Sequence, residues 1–223
     1  GTRLPFPARN LMSPDNDRVL VLAPHTDDGE FGCGGTISRF VQEGKEIFYA
    51  AFSTAEESVP PQFPSNILEQ EVRAGTHALG IPPQNLLVYK YAVRHLPHAR
   101  QEILEELVRL KREIDPGNVF LPSRQDLHQD HQTVHLEGLR AFKMATVLGY
   151  ELPWNNLSFD YRHFVVLQQE HVQTKVDALR CYQSQQSRPY SKEDFIWSWA
   201  RTRGVQISVD YAEAFDVLRW VLV

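Results

Sequence analysis

The sequence predicts an α/β fold, in which helices cover both faces of a mostly parallel sheet. Short aliphatic runs of the kind found in strands buried on both faces alternate with segments of helical periodicity. Parallel strands joined by helices form right-handed crossovers, which build such a sheet. No composition shift or low-complexity linker divides the 223 residues. A single domain over residues 1–223 is therefore predicted.

The first element is a strand at residues 18–23, whose Arg-Val-Leu-Val-Leu-Ala sequence is almost continuously aliphatic. A glycine-containing stretch and a helical segment follow, and Gly44 is a typical helix terminator. This order opens a β-α unit.

The same alternation continues along the chain. Apolar runs predict strands at 46–52, 85–91, 118–121 and 164–167. Helical spacing of apolar residues predicts helices at 67–79, 99–114, 133–148 and 172–182. The resulting order of strands and helices is typical of a Rossmann-like sheet.

The ends of the chain fit this pattern less well. Residues 1–15 are predicted to be an N-terminal extension, and the part from about 150 to 223 is predicted to be less regular. Two long polar segments, 53–66 and 183–203, are predicted to be loops, and loops of that length are often functional.

Charge and cysteine content exclude several classes of protein. With 23 Lys and Arg against 28 Asp and Glu, the net charge of −5 is a poor match to a nucleic-acid backbone. No apolar run approaches the ~18–20 residues of a transmembrane helix. Cys33 and Cys181 cannot form a disulfide framework, so a reducing, cytoplasmic location is expected. Assembly into a homo-oligomer stays open.

A polar motif, His25-Thr26-Asp27-Asp28, follows the first strand. Ligands of open α/β sheets bind beyond the carboxyl ends of the strands, so a site is expected here. Two adjacent carboxylates can divide the work, with one binding a metal ion and the other carrying protons.

A second motif, His128-Gln129-Asp130-His131, follows the fourth strand. Its nitrogen and oxygen donors are those that zinc prefers, and catalytic zinc takes three protein ligands. His25, Asp28 and His131 would supply that set and leave Asp27 without a metal bond.

The two motifs together, with Gly34-Gly35-Thr36 between them, resemble the zinc-dependent de-N-acetylases of the PIG-L/LmbE type. These enzymes remove acetyl groups from N-acetylglucosamine in glycolipids and related sugars. The resemblance extends over most of the chain, and it implies a Zn²⁺-dependent hydrolase acting on a small N-acetylated sugar or glycoconjugate. Leu68 stands where the family often has arginine, so the details of sugar recognition do not carry over.

Roles for the remaining polar residues follow from this chemistry. Asp27 is expected to act as the general base. His128, when protonated, is expected to stabilise the oxygen of the tetrahedral intermediate, while Asp130 orients His128 and keeps it charged. The resemblance implies the same assignment. Arg94, which follows the third strand, is the candidate for binding a sugar hydroxyl or a phosphate.

Two other functions remain open. Gly32-Cys33-Gly34-Gly35 partly matches a dinucleotide fingerprint, and Glu56 lies near the place of a ribose-binding acid, which indicates a nucleotide-binding α/β module. Asp27 and Asp28 would repel a pyrophosphate, however. The second alternative is a zinc amidohydrolase for another N-acyl substrate, because pocket shape and not metal chemistry selects the acyl group and the sugar.

Overall fold

The computed structural model of the chain describes residues 17–221. Its strands are β1 (Arg18–His25), β2 (Glu46–Ser53), β3 (Leu86–Val88), β4 (Asn118–Pro122), β5 (Thr146–Tyr150), β6 (His163–Leu167) and β7 (Tyr211–Arg219). Its α-helices are α1 (Asp28–Gln42), α2 (Ile67–Ala78), α3 (Arg100–Ile114), α4 (Gln129–Ala141), α5 (Gln169–Arg180) and α6 (Glu193–Val205). The predicted N-terminal extension lies outside the described residues.

The strands form one sheet in the order β3-β2-β1-β4-β5-β7-β6. All neighbouring pairs from β3 to β5 are parallel, and β7 runs antiparallel to both of its neighbours. The prediction of a mostly parallel α/β sheet is confirmed. The strand order changes direction between β1 and β4, which pair directly with each other. Such a switch point is where an open α/β sheet leaves a crevice for ligands.

The alternation of side chains along β1 divides the core into two layers. Val19 and Val21 pack in a cluster with residues of α1, α2, α5 and α6. Leu20 and Leu22 point to the other face and pack in a cluster with residues of α3 and α4. Because both faces of β1 are covered, the strand is a nearly continuous aliphatic run.

The helix predicted at 133–148 is wrong in its second half. Helix α4 ends at Ala141, and Thr146–Tyr150 forms β5, which pairs in parallel with β4. A short strand that is buried on both faces has the same apolar composition as a buried helical turn, so periodicity does not separate the two.

The C-terminal part is more regular than predicted. The segment 183–203, expected to be a loop, contains most of α6, and residues 211–219 form the antiparallel strand β7. Helix α6 is held by long-range bonds, because Trp199 Nε1 and Arg203 both donate to the buried carboxylate of Glu151. The segment 53–66 is a loop with one short 3₁₀ turn, as expected. Within residues 17–221, no helix has the length and apolar character needed to span a membrane.

Candidate metal centre and its pocket

A pocket of about 270 Å³ opens at the carboxyl ends of β1 and β4. Both polar motifs contribute to its lining, with His25, Asp27 and Asp28 on one side and His128 and His131 on the other. The two motifs are far apart in the chain, and they meet because β1 and β4 are neighbours in the sheet.

The first motif turns sharply between β1 and α1. His25 is the last residue of β1, and its backbone N–H donates to Asp28 Oδ2 over 2.8 Å. Asp28 begins α1 and is almost completely buried. The start of this helix packs closely on the sheet, since a Cβ atom at Gly29 would lie 2.5 Å from the Tyr49 ring and one at Gly32 would lie 2.3 Å from the Tyr150 ring.

The second motif forms the first turn of α4. His128 is the N-cap residue, and its Nδ1 accepts a hydrogen bond of 3.1 Å from the backbone N–H of Asp130. Asp130 and His131 follow within the helix and are both buried. The helix therefore projects one histidine into the pocket from its cap and a second from its first turn.

Three donor atoms form a nearly equilateral triangle. His25 Nδ1, Asp28 Oδ2 and His131 Nε2 are each 3.2 Å from the other two. Two ligand atoms at ~2.0–2.1 Å from a tetrahedral zinc ion would lie about 3.3 Å apart. The spacing and the donor types of this triangle therefore fit a tetrahedral metal ion. Ring nitrogens of His25, His128 and His131 also lie within 4.8 Å of one another, which is a looser arrangement.

The two histidines of the triangle have carboxylate partners on their other ring nitrogens. His25 Nε2 lies 3.0 Å from Asp130 Oδ2, and His131 Nδ1 lies 2.7 Å from Asp126 Oδ2. A carboxylate on one nitrogen holds the proton there and leaves the lone pair of the other nitrogen free. Burial lowers the pKa of both rings, but Asp28 and the other carboxylates outweigh it and raise the pKa of His25 to about 9 and that of His131 to about 10. A metal ion would therefore displace one proton from each ring and bind the lone pair that faces the centre of the triangle. Asp126 lies two residues before the second motif, and its role was not predicted from the sequence.

Asp130 has a different partner from the one expected. Its carboxylate accepts from His25 and from the backbone N–H groups of Arg94 and Leu96, at 2.6 and 3.2 Å. It binds His128 only through its own backbone N–H, because His128 is the helix cap. The expectation that the Asp130 carboxylate orients His128 is therefore corrected: that carboxylate orients His25.

The protonation of His128 also differs from the expectation. Burial and the neighbouring His131 and His25 lower the pKa of His128 to about 4. Its Nδ1 accepts the Asp130 N–H, so the proton of the neutral ring is on Nε2. His128 is thus a neutral hydrogen-bond donor, and not the imidazolium that the sequence suggested.

The carboxylates of Asp27 and Asp28 have opposite pKa shifts. Burial and the charge of Asp28 raise the pKa of Asp27 to about 7. Asp28 is also buried, but His131 and His25 outweigh the effect of burial and hold the pKa of Asp28 well below its usual range. A pair of carboxyl groups with separated pKa values is typical of sites in which one group carries protons and the other stays ionised.

Glu30 stabilises the turn of the first motif through two tyrosine hydroxyl groups. It is fully buried, and its carboxyl group contacts the hydroxyl groups of Tyr182, at 2.6 Å, and Tyr49. Both hydroxyl groups also lie 2.9 Å from the carbonyl oxygen of Thr26. Burial raises the pKa of Glu30 to about 8 against the effect of these two bonds. This network fixes the backbone between His25 and Asp27.

Helix α1 is broken at Cys33, whose φ and ψ of −147° and 22° are not helical. A buried ion pair of 2.7 Å between Lys175 and Glu213 spans the break. Lys175 Nζ donates to the carbonyl oxygen of Phe31, and Glu213 accepts from the backbone N–H groups of Gly35 and Thr36, at 3.0 and 2.7 Å. The ion pair therefore caps both sides of the break.

This arrangement argues against the nucleotide-binding alternative. The backbone N–H groups of Gly35 and Thr36, which a phosphate would need, already bind the carboxylate of Glu213. The glycine-rich segment is also buried inside the fold.

Arg94 does not line the pocket; its neighbour Val93 does. Arg94 has a positive φ of 68°, and its role in the structure is to bring its backbone N–H to Asp130. A bulky residue in this conformation is uncommon, and the bond to Asp130 gives a physical reason for it. The structure thus places the side chain predicted to bind substrate away from the cavity.

The remaining pocket wall comes from the loop after β5 and from the first part of 183–203, one of the two long polar segments singled out in the sequence. Trp154 and Tyr190 stack with ring centroids 3.9 Å apart and an interplanar angle of 11°. Asn155, Gln185 and Arg188 add polar groups to the same lining. These residues follow β5 and α5, and the length and polarity of 183–203 indicated the second of these segments but gave no role to Trp154, Arg188 or Tyr190.

Comparison with known proteins identifies the family to which the chain belongs. The family model described as "PIG-L: GlcNAc-PI de-N-acetylase" matches residues 20–142, which is more than half of the chain and includes both motifs. The chain belongs to the PIG-L family. The predicted family and the predicted enzyme class, an N-deacetylase that hydrolyses an amide C–N bond, are confirmed.

Individual relatives of this PIG-L family member include proteins of known sequence and structure. An uncharacterized deacetylase, YaiS, from Escherichia coli is 27% identical over 182 residues, covering 78% of this chain and 96% of that protein. Diacetylchitobiose deacetylase from Thermococcus kodakarensis is 29% identical over 146 residues, covering 60% of this chain and 53% of that protein. The conserved protein TT1542 from Thermus thermophilus has a crystal structure with a TM-score of 0.76 and 26% identity, covering 92% of this chain and 96% of that chain.

Proposed function

We propose that this PIG-L family member is a zinc-dependent hydrolase that removes the N-acetyl group from an N-acetylglucosamine-type sugar or sugar conjugate. The observation that carries the proposal is the triangle of His25 Nδ1, Asp28 Oδ2 and His131 Nε2, with 3.2 Å edges. Two nitrogen donors and one carboxylate suit zinc, and three protein ligands leave a position free for chemistry. His25, Asp28 and His131 would hold the ion.

A divalent ion bound there would act as a Lewis acid towards the acetamide carbonyl and would make a water molecule easier to deprotonate. Asp27 lies beside the triangle and lines the same pocket. Its pKa, raised to about 7 by burial and by Asp28, suits a general base that works near neutral pH. In this proposal Asp27 takes a proton from the attacking water and returns it to the leaving amine.

His128 is the second proton-bearing group in the pocket. Because its Nδ1 accepts the Asp130 backbone N–H, the neutral ring offers an Nε2–H. We assign this group to the carbonyl oxygen of the substrate, whose negative charge grows as the tetrahedral centre forms. A preorganised donor of this kind typically contributes ~2.7–4 kcal/mol to the transition state.

The pocket wall supports a sugar as the group that carries the acetamide. The stacked rings of Trp154 and Tyr190 provide a flat apolar surface, and the side-chain amides of Asn155 and Gln185 can bond to hydroxyl groups. The name of the Thermococcus relative specifies an acetylated sugar, diacetylchitobiose, and the family description specifies GlcNAc-PI. Cys33 and Cys181 are both free thiols, which supports a cytoplasmic location.

The test is to load the protein with zinc and incubate it with N-acetylglucosamine, diacetylchitobiose, a nucleotide-linked and a lipid-linked N-acetylglucosamine, and to measure the release of free amine. The matched control is Asp27→Asn, which removes the base without removing a metal ligand. We expect this variant to bind zinc normally and to lose about 10²–10⁴-fold in rate.

Near-normal turnover by Asp27→Asn would refute the assignment of the base. Release of amine from N-acylated amino acids but from none of the sugars would favour the alternative of a zinc amidohydrolase with another substrate.

A further inference from the structure

A cationic side chain lies at the edge of the pocket. Arg188 lines the cavity together with the Trp154–Tyr190 stack, and it is the one Arg or Lys among the described lining residues. It is exposed to solvent. Within residues 17–221, its guanidinium has neither a carboxylate partner nor a hydrogen-bond acceptor.

The backbone that carries Arg188 is held in place. Its N–H donates to the carbonyl oxygen of Gln185 over 3.0 Å, and its own carbonyl oxygen accepts from Ser191 Oγ over 2.7 Å. Upstream, the buried carboxylate of Glu71 accepts from the backbone N–H and the Oγ of Ser184, at 2.9 and 2.6 Å. The segment from Ser184 to Ser191 is therefore tied both to α2 and to itself, which fixes the backbone from which the Arg188 side chain extends.

The carboxylates of the metal site are engaged by groups other than this cation. Asp28, Asp126 and Asp130 all contact the rings of His25 or His131. Within the described part of the chain, Arg188 is therefore a pocket-lining cation without a counter-charge in direct contact, and an anionic group on the ligand would supply one.

We propose that Arg188 binds an anionic group, a phosphate or a carboxylate, carried by the N-acetylated sugar. This inference rests on the proposed function for the nature of the sugar. A guanidinium forms paired, charge-assisted hydrogen bonds with either group, so both belong to the same chemistry. The sugar ring would lie along the aromatic stack, between the metal triangle and Arg188.

The test measures binding, so it does not depend on turnover. Zinc-loaded Asp27→Asn protein is titrated calorimetrically with N-acetylglucosamine, its 1-phosphate, its 6-phosphate and N-acetylmuramic acid. Two phosphates and one carboxylate distinguish the source and the position of the anion. The same titrations are made after adding Arg188→Gln, and after adding Arg112→Gln, an exposed arginine of α3 outside the pocket lining.

We expect at least one anionic sugar to bind more tightly than N-acetylglucosamine, and Arg188→Gln to reduce this preference by about 10- to 100-fold. Arg112→Gln should leave the preference unchanged. Equal affinities for neutral and anionic sugars would overturn the inference. A preference that survives Arg188→Gln would also overturn it, because the anion would then be bound elsewhere, for instance by the zinc ion.

Failure of the proposed function has a different signature. If the wild-type protein releases amine from N-acetylglucosamine but shows no anion preference, the inference fails and the function stands. If the Arg188-dependent preference is present but no sugar is deacetylated, the anion subsite stands and the proposed function fails.

Discussion

Replacing Asp126 by Asn should weaken metal binding although Asp126 is not a proposed ligand. The Asp126 carboxylate is buried and accepts two hydrogen bonds, from the His128 backbone N–H at 2.9 Å and from His131 Nδ1 at 2.7 Å. An Asn side chain offers one acceptor and one donor at the same positions. The backbone N–H cannot change its character, so the amide oxygen must face His128 and the amide nitrogen must face His131.

The Asp126→Asn substitution should therefore change the tautomer of His131. A donor opposite Nδ1 makes that nitrogen an acceptor and moves the ring proton to Nε2, the atom 3.2 Å from Asp28 Oδ2 and from His25 Nδ1. Metal binding must then displace this proton or force two donors against each other. Loss of such a carboxylate partner typically costs 10–100-fold in metal affinity, which corresponds to about 1.4–2.7 kcal/mol.

The assay is a zinc titration of the apo-protein in competition with a chromophoric chelator, with thermal unfolding of the apo-protein measured in parallel. Glu137→Gln is the matched control, because Glu137 is also fully buried and binds two charged groups, Arg100 and Arg140, without touching the metal triangle. We expect Glu137→Gln to lower stability and to keep the zinc affinity. An unchanged zinc affinity in Asp126→Asn would refute the role given to the tautomer.

Two further predictions concern other parts of the site. His128→Ala should retain zinc and lose about 10²–10³-fold in kcat, because it removes a hydrogen-bond donor to the reacting oxygen. Metal analysis and steady-state kinetics measure the two effects. An empty metal site would instead identify His128 as a ligand. Glu213→Gln should lower the free energy of unfolding by about 3–5 kcal/mol in chemical denaturation, because it leaves the buried Lys175 without its counter-charge. The double variant Glu213→Leu with Lys175→Met should lose less, and a loss as large as that of the single variant would contradict this account.

The meeting of the two motifs was predictable from the sequence for a topological reason. Motifs that follow two parallel strands lie at the same edge of the sheet, and the order of strands and helices already implied parallel pairing. The residue types then predicted a metal site, because histidine and aspartate, the types found at positions 25, 28 and 131, are common ligands of zinc. The structure brings these three together, with Asp27 and His128 beside them.

The partners of these side chains were not predictable, because they depend on local backbone geometry. The sequence spacing suggested that Asp130 would serve His128, but a helix N-cap takes the backbone N–H of Asp130 and turns its carboxylate towards His25. The position of Arg94 after a strand suggested that its side chain binds substrate. In the structure it is the backbone N–H of Arg94 that has a role, because it donates a hydrogen bond to the Asp130 carboxylate. Arg188 lies in the predicted loop 183–203, but its own role could not be predicted, since only tertiary packing brings this side chain to the pocket.

The break in α1 divides the helix into two parts that share one buried ion pair. The first turn carries Asp28, is closed at Phe31 by Lys175, and begins against Tyr49. The second part begins at the amides bound by Glu213, and the hydrogen bonds of its far end involve surface groups such as Arg39. The two parts are joined through one ion pair, since Lys175 binds the carbonyl oxygen of Phe31 and Glu213 binds the amides of Gly35 and Thr36. The position of the metal-binding turn therefore depends on α5 and β7, two elements that contribute no proposed ligand to the triangle.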